Sequence, residues 1–289
     1  KINFILLIFA FMAGFAIVYL KSVLNKKLKY EDIRKITDLP VVGKILHNDQ
    51  KTSTIVFANT DSVKAEAFRS LRSRLQFFTK DARSPVILVT SSTPEEGKTH
   101  VAINLASAYS LLGKKTVIVG FDLRRPKLFQ DFNLSNEKGI STYLIGQNNL
   151  QEIIQDTSFE NLFVIPAGPI PPNPSELIAL EKSEVLLNLL REKYDYIIID
   201  SPPIGIVSDA LHLASLADTC LLIVRPGHTL KNMLNISLSE IKTGSLKSVS
   251  LVINDIPADS KYGYGEKYGY SSETKHSKRS LFNRKEISI

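Results

Sequence analysis

Apolar residues fall along this chain in short unbroken runs rather than in strict alternation. The runs at 86–90, 116–121, 162–166, 195–200, 218–224 and 248–253 are built mainly of Val, Ile and Leu. Runs of that length and composition predict strands buried on both faces, because a strand with one wet face would alternate. Helices fill most of the gaps between them. Strand and helix in turn predict an α/β fold with a doubly wound, mainly parallel sheet and a ligand at the carboxyl ends of its strands. Upstream, Val63, Ala67, Leu71, Leu75 and Phe78 recur at near-helical spacing, which predicts an amphipathic helix over 62–79.

The two ends depart from this pattern. Between Ile2 and Leu20 the only strongly polar side chain is Asn3, and a helix of that length is about 28 Å long, close to the hydrocarbon thickness of a bilayer. Lys21, Lys26, Lys27 and Lys29 follow, as expected of a membrane helix whose C-terminal side is cytoplasmic. The alternatives are a buried core helix or a signal peptide, which would have a shorter apolar region and a small-residue cleavage site. From Asp259 onward the periodicity stops and Gly, Ser, Lys and Tyr dominate, which predicts a disordered tail. The expected organisation is a transmembrane helix at 1–20, a cytoplasmic juxtamembrane segment at 21–55 that is turn-rich around Asp38–Gly43, a folded domain at 56–258 and a tail at 259–289. The chain opens at Lys1 rather than Met, as a fragment or processed product would.

Charge narrows the choice of partner. The net charge is +7, yet residues 21–35 carry six Lys and Arg against Glu31 and Asp32, and residues 261–289 carry seven against Glu266, Glu273 and Glu286. Each segment is therefore +4, and the folded domain is about neutral. Nucleic-acid binding needs a basic face on the domain, so no nucleic acid is expected; basic flanks suit the surface of an anionic membrane. The single cysteine, Cys220, lies in a strand run and reads as an inert core thiol, which excludes a disulfide framework and a Cys-based zinc site. The five histidines show no paired metal spacing.

The chemistry is concentrated in three strand ends. Ser91-Ser92-Thr93-Pro94-Glu95-Glu96-Gly97-Lys98-Thr99 follows one apolar run and precedes Val101-Ala102-Ile103-Asn104-Leu105-Ala106, which reads as a helix start. A strand, a loop ending in Gly-Lys-Thr and a helix make the arrangement that wraps a triphosphate: backbone N–H groups face phosphate, Lys98 reaches the β/γ oxygens and the Thr99 hydroxyl ligates Mg²⁺. The bland alternative is a surface turn that happens to hold a lysine. Asp200 ends the run Tyr196–Ile199, where a Walker B aspartate would hold Mg²⁺ through water. Asp122, Arg124 and Arg125 follow the run 116–121. There Asp122 is placed to bind metal or orient a nucleophile, and an arginine to neutralise transferring phosphate, unless the segment is only a solvated loop.

Together the Ser91–Thr99 loop, Asp122–Pro126, Pro171-Pro172-Asn173-Pro174-Ser175-Glu176-Leu177 and Asp200-Ser201-Pro202-Pro203 resemble the bacterial tyrosine kinases of exopolysaccharide export, the cytoplasmic part of Wzc-like polysaccharide co-polymerases. The resemblance covers nearly the whole chain and implies a ParA/MinD-like P-loop fold that binds ATP and Mg²⁺. It implies nucleotide contacts from Ser92 to His100 and Asn254, metal contacts from Thr99, Asp122 and Asp200, and catalysis by Lys98, Asp122, Asp200 and Arg124. Asn254 reads equally as a base contact or as a strand-end cap. Glu66, Arg69 and Arg72 match the family's Glu-x2-Arg-x2-Arg ring motif, whose plainer reading is an exposed row of helix charges. Tyr262, Tyr264, Tyr268 and Tyr270 match the tail tyrosines that a neighbour phosphorylates in trans.

The resemblance further implies a bacterial inner-membrane protein with a cytoplasmic kinase domain and a periplasmic part upstream. Its partners would be a homo-oligomeric ring, polysaccharide export and polymerisation proteins and a tyrosine phosphatase. Three residues depart from the family pattern: Gly120 where the first Asp of Walker A′ is expected, Glu95 in place of a loop glycine, and His100 in place of a small or hydroxyl residue; Thr93 stands where ParA/MinD proteins carry a lysine. Gly120 and Glu95 motivate the alternative of a nucleotide-gated scaffold without kinase activity. Thr93 argues against a ParA/MinD-type positioning ATPase, which would also leave the tyrosines and the apolar helix unexplained.

Overall fold

The unbroken apolar runs become the middle of one eight-stranded sheet. The strands are β1 (Val41–Leu46), β2 (Val86–Ser91), β3 (Thr116–Gly120), β4 (Gln155–Asp156), β5 (Leu162–Ile165), β6 (Tyr196–Asp200), β7 (Thr219–Val224) and β8 (Val249–Ile256), in the spatial order β1-β8-β7-β2-β6-β3-β5-β4. All pairings are parallel except β4 with β5. The computed structural model describes residues 11–15, 26–49, 52–244, 246 and 248–257. Helices of seven or more residues among them are α1 (Tyr30–Ile36), α2 (Val63–Thr79), α3 (Lys98–Ser110), α4 (Glu181–Arg191), α5 (Asp209–Leu216) and α6 (Lys231–Thr243).

Successive residues of the central strands feed two cores, one on each side of the sheet. Ile87, Val89, Ile118, Ile198, Leu221 and Ile223 face Phe68, Leu71 and Leu75 of α2 and Val101, Ile103 and Leu105 of α3. Their neighbours Val86, Leu88, Val117, Ile197, Ile199 and Leu222 face Leu186 and Leu190 of α4, Leu213 of α5 and Leu234 of α6. Every residue of β2 and β7 is buried, which explains the missing alternation. Ser62 caps α2 by accepting the Ala65 N–H at 3.1 Å, so that helix begins where its apolar spacing begins.

One expectation is revised. The stretch read as a turn-rich juxtamembrane segment contains β1, which pairs in parallel with β8 from Val41 opposite Leu251. Segment 26–36 is joined to the folded domain as well: Leu28 is buried and donates its N–H to Thr229 O, in the turn after β7, at 2.7 Å. Of the apolar stretch 1–20 only residues 11–15 are described. They are helical, with Phe11, Met12 and Phe15 exposed. No helix among the described residues is long and apolar enough to cross a membrane. The tail, with Tyr262, Tyr264, Tyr268 and Tyr270, lies outside the described residues.

Candidate active site

Strand order brings the three chemistry-bearing strand ends together. β6 lies between β2 and β3, and Asp200 is level with Val89 on one side and Gly120 on the other. The loop after β2 and the loop after β3 therefore flank Asp200 at the carboxyl edge of the sheet, where α/β sheets place their ligands.

The loop after β2 ends in Gly97, whose φ of +91° is left-handed and precedes α3. A Cβ at this position would collide with Asn254 Nδ2, so space as well as conformation demands glycine. Gly97→Ala is accordingly expected to weaken ADP binding by at least about tenfold, measured by titration, because the loop or Asn254 must move. Glu95 also has positive φ, at +64°, and its side chain is exposed, which carries its charge outward. Asn254 donates to Glu96 O at 2.8 Å, so its amide nitrogen is engaged with the loop backbone.

Lys98 begins α3 with a side chain only 10% exposed, and its Nζ lies 3.8 Å from Asp122 Oδ2. The next residue, Thr99, donates its hydroxyl to Asp200 Oδ2 at 2.8 Å. Burial pushes the Asp200 carboxyl up to about 6, against the pull of Lys98 and of the Thr99 hydroxyl. Asp200 Oδ1 is buried and has no hydrogen-bond partner. An orphaned, desolvated carboxylate oxygen beside a P-loop threonine fits a hydrated Mg²⁺, which takes one or two carboxylates and keeps water and phosphate oxygens as its other ligands. No cluster of three or more His, Cys, Asp or Glu residues among the described ones forms a closed metal cage.

Several predicted contacts are placed elsewhere. Arg124 donates through Nε to Asp209 Oδ2 at 2.9 Å and through Nη2 to Ser175 Oγ at 2.7 Å, and Ser175 Oγ donates to Asp209 Oδ1 at 2.6 Å. The Asp209 side chain in that pair is fully buried. The guanidinium is thus tied to α5 and the segment after β5. It anchors the loop in which Asp122 Oδ1 accepts the Arg125 N–H at 3.1 Å. The His100 ring packs edge-on to Phe68, and burial holds it down to about 4 and neutral, so the side chain serves the core. The Glu96 carboxylate also faces inward, where it takes the Ser92 and Thr93 N–H groups at 2.7 and 3.0 Å.

The ring-motif trio is divided. Arg69 pairs with Glu66 at 2.7 Å on the exposed side of α2, whereas Arg72 donates to Ala108 O at 2.5 Å and fastens α2 to α3. Cys220 is buried, and desolvation lifts its thiol to about 12, as an inert core residue requires.

Comparison with known proteins agrees with this geometry. The family model described as "AAA domain" matches residues 86–242, which run from β2 to α6. The chain is 34% identical to CapB of Staphylococcus aureus over 224 residues, 76% of this chain and 98% of CapB. It is 31% identical to the tyrosine-protein kinase YwqD of Bacillus subtilis over 214 residues, 73% of this chain and 90% of that one. The longer tyrosine-protein kinase ptk of Acinetobacter johnsonii is 31% identical over 272 residues, 89% of this chain but 37% of ptk. Among solved structures, the kinase domain of Escherichia coli tyrosine kinase ETK superposes with a TM-score of 0.72 at 28% identity, over 80% of this chain and 95% of that one. MinD from Pyrococcus horikoshii, solved with Mg-ADP, shares the fold alone, at a TM-score of 0.51 and 23% identity over 60% of this chain and 74% of MinD. The fold is therefore that of a nucleotide-binding P-loop protein. The relatives carry the name tyrosine-protein kinase, and the chain belongs to the bacterial tyrosine-protein kinases.

Proposed function

We propose that this chain is the cytoplasmic kinase module of a membrane-anchored protein that uses ATP and Mg²⁺ to phosphorylate the tail tyrosines of a neighbouring copy. The observation that carries the proposal is the meeting of Lys98, Thr99, Asp122 and the half-unpartnered Asp200 at one sheet edge. Lys98 and the amides of the loop and the first turn of α3 bind the β- and γ-phosphates. Thr99, Asp122 and Asp200 hold Mg²⁺, directly or through water. Bound there, the metal neutralises phosphate charge as the phosphoryl group moves.

In the transfer, the bond from the γ-phosphorus to the β,γ-bridging oxygen breaks and a bond to the tyrosine oxygen forms. The phenolic proton passes to Asp122, whose carboxylate lies 3.8 Å from the lysine that orients the phosphate. Tyr262, Tyr264, Tyr268 and Tyr270 are the acceptors. Glu66 and Arg69 support association into a ring, with Arg72 holding their helix in place. Four phosphates add roughly −6 to −8, enough to reverse the +4 of residues 261–289 and loosen that ring. The apolar stretch at 1–20 anchors the protein in the bacterial inner membrane, where it works with polysaccharide export and polymerisation proteins and is reset by a tyrosine phosphatase.

A mixing experiment tests the transfer in trans. A Lys98→Met chain with an intact tail is combined with an active chain carrying Phe at 262, 264, 268 and 270, and labelled ATP and Mg²⁺ are added. Label is expected on the Lys98→Met partner. Label that appears on the parent alone but never in the mixture would mean transfer in cis. A four-Phe chain labelled as strongly as the parent would place the acceptors elsewhere.

A further inference from the structure

The hydrogen bonds that shape the phosphate loop converge on one side chain. Glu96 is fully buried, and besides the Ser92 and Thr93 N–H groups on Oε2 it accepts the Thr93 hydroxyl on Oε1 at 2.9 Å. Its fourth donor comes from a distant part of the chain: the hydroxyl of Thr229, in the turn between β7 and α6, also donates to Oε1. Thr229 is itself fully buried, and its oxygen accepts the Arg225 N–H at 2.8 Å. The same turn holds the outer side of the loop. Arg225 Nη1 donates to Glu95 O at 3.1 Å, and His228 Nε2 lies 3.0 Å from Pro94 O.

Two of the loop's amides, those of Ser92 and Thr93, are therefore committed to a carboxylate, and Pro94 has no N–H. The phosphate cradle is left to the amides from Glu95 through Thr99, which are the ones that Glu96, Gly97 and the start of α3 set in place. A carboxylate with four donors fixes its own residue firmly, and here that residue is the middle of the cradle.

We propose that Thr229 is a positioning residue for phosphoryl transfer: its hydroxyl fixes the Glu96 carboxylate and so holds the phosphate loop in binding shape before nucleotide arrives. This rests on the reading of the Lys98 loop as the ATP site, and it adds a residue that touches neither phosphate nor metal. Preorganisation of this kind appears in affinity rather than in the chemical step.

The test uses the full chain with Mg²⁺, a fluorescent methylanthraniloyl-ADP titration and steady-state tail phosphorylation. Thr229→Val keeps the shape and removes the hydroxyl; Thr229→Ser keeps the hydroxyl. Thr229→Val is expected to raise the ADP dissociation constant and the KM for ATP about tenfold with kcat within about twofold of the parent, and Thr229→Ser to stay within about threefold on all three. Parent-like affinity in Thr229→Val, or a fall in kcat with KM unchanged, overturns the proposal, because the second pattern is that of a damaged fold. Should Thr229→Val melt below the assay temperature, Glu96→Gln serves instead: it keeps the volume, replaces one acceptor oxygen with a donor, and must show the same KM rise. A parent-like KM there overturns the proposal equally. A parent chain that fails to bind the ADP probe overturns the nucleotide reading itself, and this proposal with it.

Discussion

Lys98→Met is expected to abolish nucleotide binding at millimolar ADP and to remove phosphotyrosine, while leaving a folded domain. The Lys98 ammonium is nearly buried; it lies 3.8 Å from Asp122 Oδ2, beyond hydrogen-bond reach, and acts on Asp200 through charge. It is a desolvated cation held by charge alone, which suits it to donate to phosphate oxygens. Each charge-assisted contact is worth roughly 1.5–3 kcal/mol, so two of them make about a hundredfold or more in affinity. Met preserves the length and apolar stem of the side chain, and the Glu96 network does not depend on it. Isothermal titration with Mg-ADP and a thermal melt check the two halves of the prediction. Wild-type affinity in a folded Lys98→Met chain would overturn the P-loop assignment.

Asp200→Asn is expected to separate stability from function. The Asp200 carboxyl is shifted from 3.8 to about 6, chiefly by burial, so between those values the folded state holds a proton that the unfolded chain has released. Stability therefore falls as pH rises through that window, and the penalty is complete above about 6. Two pH units amount to at most about 3 kcal/mol, and Asn, still able to accept from Thr99, removes that cost in the nucleotide-free protein. The variant should melt higher than the parent at pH 7.5, with a benefit that shrinks toward pH 4. Its phosphotyrosine should fall by about a hundredfold or more, since an amide is a poor ligand for a hard cation. A variant less stable than the parent at pH 7.5 would contradict this account of the unpartnered oxygen.

Much of this was legible in the chain because the central strands are continuous apolar runs and the phosphate loop is local in sequence. β1 was harder to read. Val41-Val42-Gly43-Lys44-Ile45-Leu46 is an edge strand broken by glycine and lysine just after Pro40, and it reads as a turn until β8 lies beside it. β4, two residues long, offers no run at all. The site was legible as a set of residues but not as a set of side-chain directions. Glu96 and His100 stand among the expected nucleotide contacts yet point inward, and Arg124 is claimed by Asp209, 85 positions away. Nothing in the neighbourhood of Thr229 marks it; its role exists only because β7 lies beside β2 and delivers the turn to the loop.

The most direct measurement is to incubate the purified full chain with labelled ATP and Mg²⁺ and map the label by mass spectrometry, with Lys98→Met as control. The account predicts phosphotyrosine at Tyr262, Tyr264, Tyr268 and Tyr270 in the parent and none in the control. A parent chain that binds Mg-ATP yet carries no phosphotyrosine would contradict it and would leave a nucleotide-gated scaffold in place of a kinase.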